Sequence, residues 1–423
     1  MPQDTTGAVS PLAPTSGSYD VPEVGLARRW LDGRDLSPEL RDEILEVIAV
    51  AFNHEVSWHR LPVAPADHFD WKYRERPTGV TLGLTLDTEG HVVGFSGTAR
   101  RVWSLQGRPY VTRASYDLCR LPEWQRRGIR EAFQPFAGQD WHPSEDFSFE
   151  YFTHPHDRSR AIERGERAPA NETHDYVRVL RFRPLSRVAS LVRGVLRRIV
   201  RRRSSGPDPA RLSNTSKVLL QRDQTGRGRL LGAAHEARRA LGALLARRTA
   251  PQPDSWAIST IGRFEDRHAL FIQRALSQFE FYGERSVSYL NWRFCDDRAG
   301  PFTVRIATRL GHEQEPLGYA VTRVHRGEAF LADVLALPGE LDVAETLIRD
   351  AIDLAKSAGA TSITTRLPKQ HPYGPALKRA GFSDLGNQAG ELIAPRNTPE
   401  ADLAFLDLEE ARIHHVLADS DVV

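Results

Sequence analysis

Cysteine, methionine and lysine are scarce in this chain of 423 residues, which has two Cys, one Met and five Lys. Cys119 and Cys295 lie far apart in sequence, so no disulfide framework is implied and a reducing compartment is expected. Cys119 falls inside an apparent strand, where a small buried hydrophobe is the expected role. An excess of charge of one sign is also missing. Lys+Arg number 57 against 55 Asp+Glu, so specific nucleic-acid binding is not expected. The cations are nearly all Arg, which reads as base-composition bias in the genome. No apolar run approaches the ~20 residues of a membrane span. The N-terminus has no basic start followed by an apolar block, so no leader is expected and a cytoplasmic protein is the default. No His/Cys/Asp cluster has metal spacing, so no metal site is expected. His414-His415 beside Asp419 and Asp421 is too isolated to make one.

The length suits two or three domains at ~150 residues each. Residues 1–22, rich in Pro, Gly, Ser and Thr, are expected to be a loose tail because they cannot repay the entropy of ordering. Ser37, Pro38 and the acids after them read as a helix start, with Leu40, Ile44, Ile48 and Ala51 on one face. Residues 80–86 and 91–103 alternate as antiparallel strands joined by a turn at 87–90. An extended stretch, 111–121, then leads into a Gly-bearing turn and a helical run, 129–136. A strand is expected at 147–152, a helix at 157–165 and a strand at 176–182.

The turn between strand and helix organises the rest. Backbone N–H groups at a helix start have no intrahelical partner, and the macrodipole places partial positive charge there. Arg126, Arg127 and Arg130 add formal charge, and Gly128 allows close approach of a ligand. Pro122, Glu123, Trp124, Gln125 and Gly128 resemble, in register, the acyl-CoA loop of the GNAT acetyltransferase superfamily. Arg130 departs from that motif, standing where the family has Gly or Ala. The order of elements over roughly 25–185 also resembles a GNAT domain.

The second half repeats the first. Residues 69–73 correspond to 290–294, Gly94 to Gly318, and residues 116–122 to 332–338, in the same order and at nearly constant spacing. The second copy is expected to continue with a helix at 343–357, a strand at 362–366 and a closing helix that resembles the family's up to Phe382. Its loop, 339–345, lacks the glycine turn and the arginines and carries carboxylates that would repel a diphosphate. The expected organisation is a GNAT-like acyl-CoA domain at 23–185, a helical linker at 186–285 and a degenerate GNAT-like domain at 286–423. A helix is expected from Asp266 to Tyr282. The fold class is α/β, two mixed, mostly antiparallel sheets flanked by helices.

In the linker, nine Arg fall between Arg181 and Arg203 with no acid until Asp208. Apolar residues at helical spacing occupy the other face. This basic amphipathic helix, Arg187 to Arg203, is expected either to attach peripherally to an anionic inner membrane face or to pack on the two domains. Residues 223–229 look phosphate-friendly but lack the ending of a P-loop.

The resemblance implies transfer of an acetyl or other acyl group from acyl-CoA to an amine of a small molecule or cell-envelope precursor. It implies that Gln125, Arg126, Arg127, Gly128, Ile129 and Arg130 hold the diphosphate, and that main chain at Leu118 and Arg120 holds the pantetheine arm. For the base, Asp117 is the first candidate and Glu150 on the next strand the second; Tyr116 is a relay through water. The family's acid tyrosine is absent: Ala161 and Leu377 occupy the corresponding places. His154 and His156 are expected at the cleft edge. Two other readings stay open: a membrane-recruited acyl-CoA sensor that has lost its base, and a mycothiol-synthase-like or aminoacyl transferase.

Overall fold

The computed structural model describes residues 16–52, 62–125, 147–151, 173–180, 256–386, 391–395 and 408–414. The loop at 126–130, the expected helices at 157–165 and 187–203, His154, His156, Ala161 and the 223–229 stretch lie outside these residues.

In the first half, β1 (Gly17–Val21) and β2 (Leu26–Asp32) form a hairpin whose turn ends on Gly25 at φ 63°. The end of the stretch expected to be a tail is therefore a paired strand. α1 (Pro38–Ala51) begins as the sequence predicts, with Ser37 Oγ accepting from Leu40 N at 3.3 Å. α2 (Pro65–Phe69) runs directly into a π-helical turn, Asp70–Arg74. Then come β3 (Val80–Leu86), β4 (Val92–Leu105), β5 (Arg108–Arg120), β6 (Phe147–Tyr151) and β7 (Thr173–Val179).

The second half starts with β8 (Trp256–Ile261) and α3 (Arg267–Leu276). The single helix expected from 266 to 282 stops early, and Phe281–Gly283 becomes β9, paired with β4. Phe281 stacks on Trp103 at 5.0 Å between centroids, and such aromatic contact favours a strand here. α4 (Val287–Phe294), β10 (Phe302–Arg309), β11 (His312–His325), β12 (Glu328–Ala336), α5 (Leu341–Ser357), β13 (Ser362–Pro368), α6 (Gly374–Arg379) and β14 (Ser383–Asp384) follow. β15 (Glu391–Pro395) and β16 (Ile413–His414) close the described chain.

Two sheets result, ordered β1-β2-β3-β4-β5-β6-β15 and β14-β7-β13-β12-β11-β10-β8; β9 joins the first through β4, and β16 pairs with β9. Each half has given a strand to the other. β7 lies antiparallel to β13 in the second sheet, and β15 lies antiparallel to β6 in the first. Arg366 Nε donates to Asp175 Oδ1 at 2.7 Å and His174 Nδ1 sits 2.8 Å from Asp384 Oδ1, fixing β7 in place.

Ile44, Val47 and Ile48 of α1 share a core with Leu82, Leu84 and Phe95 of the first sheet. Val343, Leu347, Ile348 and Ala351 of α5 do the same with Tyr319, Val321, Leu331 and Leu335 of the second. Burying each of the larger of these side chains contributes roughly 1.5–3 kcal/mol. The duplication shows in detail at two glycines. A Cβ on Gly94 would lie 3.2 Å from the Cys119 carbonyl oxygen, and one on Gly318 would lie 2.9 Å from that of Leu335. Equivalent strands thus approach at equivalent points. Among the described residues, no helix is long and apolar enough to cross a membrane.

Candidate functional site

β5 and β6 run parallel but pair only at Thr112 with Phe147 and Arg113 with Ser148. Beyond that point β5 continues to Arg120 with no pairing to β6 among the described residues, so the two strands part there. The β4–β5 register slips between Phe95 and Gly97, placing both Asp117 and Leu118 opposite Ser96. Such a bulge takes an extra residue out of the ladder and re-aims its side chains. Asp117 takes φ 50°, a left-handed conformation that Asp tolerates better than most residues. Leu118 is 72% exposed, unusual for leucine inside a strand.

Asp117 does not stand alone. Lys72 Nζ donates to its Oδ2 at 2.6 Å, and the Tyr73 hydroxyl donates to the same oxygen. Burial pushes the Asp117 carboxyl up, but the Lys72 charge and the hydrogen bonds from Lys72 and Tyr73 outweigh it and hold it below the usual carboxylate range. Tyr73 is fully buried, and burial followed by the Asp117 charge pushes its phenol well above the ordinary value. Lys72 also lies 5.5 Å from the Tyr116 ring centroid, with Arg76 at 5.6 Å and Arg101 at 5.5 Å. Tyr116 is therefore packed among cations, within the range of cation–π attraction. His68, one helical turn before Lys72, donates from Nδ1 to the Arg298 carbonyl at 2.8 Å. Burial, with Lys72 nearby, pulls its pKa down to about 4.

Further along β5, burial and the Asp117 charge push the Cys119 thiol up to about 12, so it is inert at neutral pH. Arg120 is half-buried, and burial lowers its pKa. Gln125 Nε2 donates to the Arg120 carbonyl at 3.0 Å, which marks a main-chain acceptor outside the sheet ladder. Of the predicted residues, the structure brings Tyr116, Asp117, Leu118, Arg120 and Gln125 to one strand end. Glu150 lies on β6 opposite Leu392. Arg126, Arg127, Gly128, Ile129 and Arg130 fall outside the described residues. Lys72, Tyr73 and His68 belong to the cluster and were not legible as site residues. A Lys-Tyr pair at the end of a short helix is a weak signal until the bulge brings Asp117 to it.

The equivalent place in the second half is closed. β12 and β13 also splay after Phe330 and Thr364. There the Ala336 N–H, equivalent to that of Arg120, donates to the Tyr373 hydroxyl at 2.9 Å, and Gln278 Nε2 donates to the Ala336 carbonyl at 2.9 Å. His371 meets the Tyr373 ring edge to face at 4.8 Å, Phe279 packs on both His371 and His414, and His371, Tyr373 and His414 are at most 1% exposed. Asp333, the counterpart of Asp117, is buried and accepts from Arg285 Nε at 2.8 Å and the Tyr319 hydroxyl at 2.9 Å. Among the described residues, no group of three His, Cys, Asp or Glu could hold a metal ion.

Neither a family model nor a curated protein matches the sequence. Among solved structures, the chain is similar to a conserved protein of unknown function from Enterococcus faecalis V583, described as a probable N-acyltransferase. The TM-score is 0.51 at 10% identity, over 88% of this chain and 73% of that one. A tandem GNAT protein from the clavulanic acid biosynthesis pathway aligns with TM-score 0.49 at 13% identity, over 89% of this chain and 99% of that one. N-myristoyltransferase of Saccharomyces cerevisiae, with bound myristoyl-CoA and inhibitors, aligns with TM-score 0.47 at 12% identity, over 88% and 80%. At such identities the likeness concerns the fold. What the chain shares with the Enterococcus faecalis protein is an architecture of two mixed sheets with helices packed on them.

Proposed function

We propose that the first half binds an acyl-CoA in a groove where β5 and β6 part and transfers the acyl group to an amine of a small molecule or envelope precursor. One observation carries this reading. β5 and β6 part beside a bulge at which Leu118 stands exposed, whereas at the equivalent place in the second half the Ala336 N–H is capped by the buried Tyr373. The Arg120 carbonyl that Gln125 now caps can accept an amide N–H of a pantetheine arm, and Arg126, Arg127 and Arg130, which lie outside the described residues, are proposed to meet the diphosphate. The bulge peptide at Leu118 is the donor proposed for the thioester carbonyl oxygen.

In the reaction the amine lone pair attacks the carbonyl carbon, the C–S bond breaks, and the thiolate leaves. The amine must first lose a proton. Asp117, already bound to an ammonium and a phenol, attracts a cationic acceptor better than it accepts a proton. Proton removal is therefore assigned to Glu150, or to water held by Tyr116.

Heat protection and thiol release test the reading together. Acyl-CoA should raise the melting temperature of the wild-type chain, and scrambling 125–130 should remove the effect. Thiol release with a panel of amines should identify the acceptor. Absence of protection, or equal protection after scrambling, sinks the proposal. The second reading, a non-catalytic acyl-CoA sensor, is favoured by Lys72 occupying Asp117; tight binding without turnover selects it. A mycothiol-synthase-like enzyme, expected to work with its second copy, is disfavoured by the Tyr373 plug.

A further inference from the structure

Arg298, in the second half, holds both ends of the π-helical turn in the first. Its main-chain carbonyl accepts from His68 Nδ1 at 2.8 Å, two residues before the turn. Its guanidinium donates to Glu75, the residue just after it, with Nη1 to Oε1 at 2.7 Å and Nη2 to Oε2 at 2.6 Å. The middle of the turn carries Lys72 and Tyr73, which both bond to Asp117 at the bulge. A path of direct contacts therefore runs from Arg298 through the turn to the floor of the groove.

Arg298 is itself fixed. Asp296 Oδ1 accepts from the Arg298 N–H at 2.9 Å and from Nε at 3.0 Å, and Oδ2 accepts from Nη2 at 2.8 Å. The two-pronged bond to Glu75 has a geometry that a lysine cannot reproduce. The hydrogen bonds from Arg298 hold the Glu75 carboxyl below its usual range. An exposed ion pair alone contributes little stability. Its significance here is geometric. A π-helical turn is an irregular segment that must be held from outside, and such turns recur at functional sites.

We infer that Arg298 is a positioning residue: by gripping both ends of the 70–74 turn it sets Lys72 and Tyr73 on Asp117 and so fixes the bulge that shapes the acyl groove. The inference rests on the groove being the reaction site, and it makes the second half a working part of that site. Arg298 touches no reacting atom. A misplacement of ~1 Å in a reacting geometry costs on the order of a hundredfold in rate, so a loosened turn should show in turnover before it shows in folding.

The test uses the full chain with Arg298→Lys and, as a gentler variant, Glu75→Gln, which leaves Arg298 on Asp296. Amide hydrogen exchange is read in peptides covering 70–75 and 115–120, with α5 as the reference. Exchange at 115–120 should rise about tenfold in both variants while α5 stays unchanged. With an acyl-CoA and an accepted amine, kcat should fall about tenfold while KM for the acyl-CoA stays within about twofold. Unchanged exchange at 115–120 in both variants overturns the inference, as does raised exchange with unchanged kcat in an active protein. If wild type shows no thiol release with any amine while exchange rises as expected, the groove reading fails and the coupling stands.

Discussion

The indoles of Trp71 and Trp292 stack face to face across the two halves, with ring centroids 4.8 Å apart and planes 16° from parallel. Each donates to the other's main chain, Trp71 Nε1 to the Trp292 carbonyl at 2.7 Å and Trp292 Nε1 to the Trp71 carbonyl at 3.1 Å. The contact is self-complementary, as at an isologous dimer interface, although both partners belong to one chain. Trp71 and Trp292 hold corresponding positions in the repeat, so the duplicated sequence has preserved a two-fold contact within a single molecule.

Because both indoles are buried and both donors are used, truncating either should destabilise strongly. Trp292→Ala is expected to cost roughly 3–5 kcal/mol. Trp292→Phe, which keeps a ring but leaves the Trp71 carbonyl unbonded, is expected to cost about 1–3 kcal/mol. Denaturant titration of both variants and of the Trp71→Phe/Trp292→Phe double variant checks this. A coupling near zero would mean that the two bonds do not depend on each other.

Removing the Asp117 charge should leave Lys72 and Tyr73 pointing at a poor partner. The side chains of Lys72 and Asp117 are 13% and 18% exposed, so the ~3–5 kcal/mol of a fully buried pair is an upper bound and about 2 kcal/mol is expected for Asp117→Asn. Adding Lys72→Met should restore most of the stability, measured by chemical denaturation, without restoring acyl transfer. Recovery of both would reduce the pair to a structural role.

His68 gives the protein a defined sensitivity to acid. Burial, with Lys72 beside it, takes its pKa from 6.5 down to about 4 in the folded chain. Between those values the unfolded chain binds a proton that the folded chain refuses. Stability from this group is therefore intact above pH 6.5 and falls as pH drops toward 4, by up to roughly 3 kcal/mol. His68→Asn keeps a donor for the Arg298 carbonyl and removes the titration. The difference in unfolding free energy between wild type and variant should change across that window and be flat above pH 7.

Tyr373→Phe should uncap the Ala336 N–H in the second half and cost about 1–3 kcal/mol, read as a shift in denaturation midpoint. The variant should gain no affinity for acyl-CoA, because Phe279, His371 and His414 still fill the space.

The sequence made some of this legible and left the rest hidden for physical reasons. Strand alternation found Val80–Leu86 to the residue, and the cap at Ser37 found α1, because both signals are local. The repeat was visible because residues 69–73 and 290–294 share a pattern. The same five residues also hold Lys72 and Tyr73, yet nothing local joins them to Asp117. That contact depends on a bulge at a non-glycine residue with positive φ and on a π-helical turn, neither of which has a reliable composition. Asp117 could be singled out from its place on the strand, but the ammonium and phenol that contact it could not. Likewise β7 reads as a strand from its alternation, while its choice of sheet depends on Arg366 and Asp384 far along the chain.

A ribosome making this chain delivers β7 long before anything can receive it: Asp175 waits for Arg366, 191 residues later. β6 waits longer still, since Phe147 pairs with Pro395. Until then the nascent first half carries open hydrogen-bonding edges, which invite other chains as readily as the right partner. Neither half expressed by itself should reach a finished state. The gene's layout therefore ties solubility to uninterrupted synthesis, and a premature stop even a few codons before β15 should yield aggregate instead of a smaller working protein.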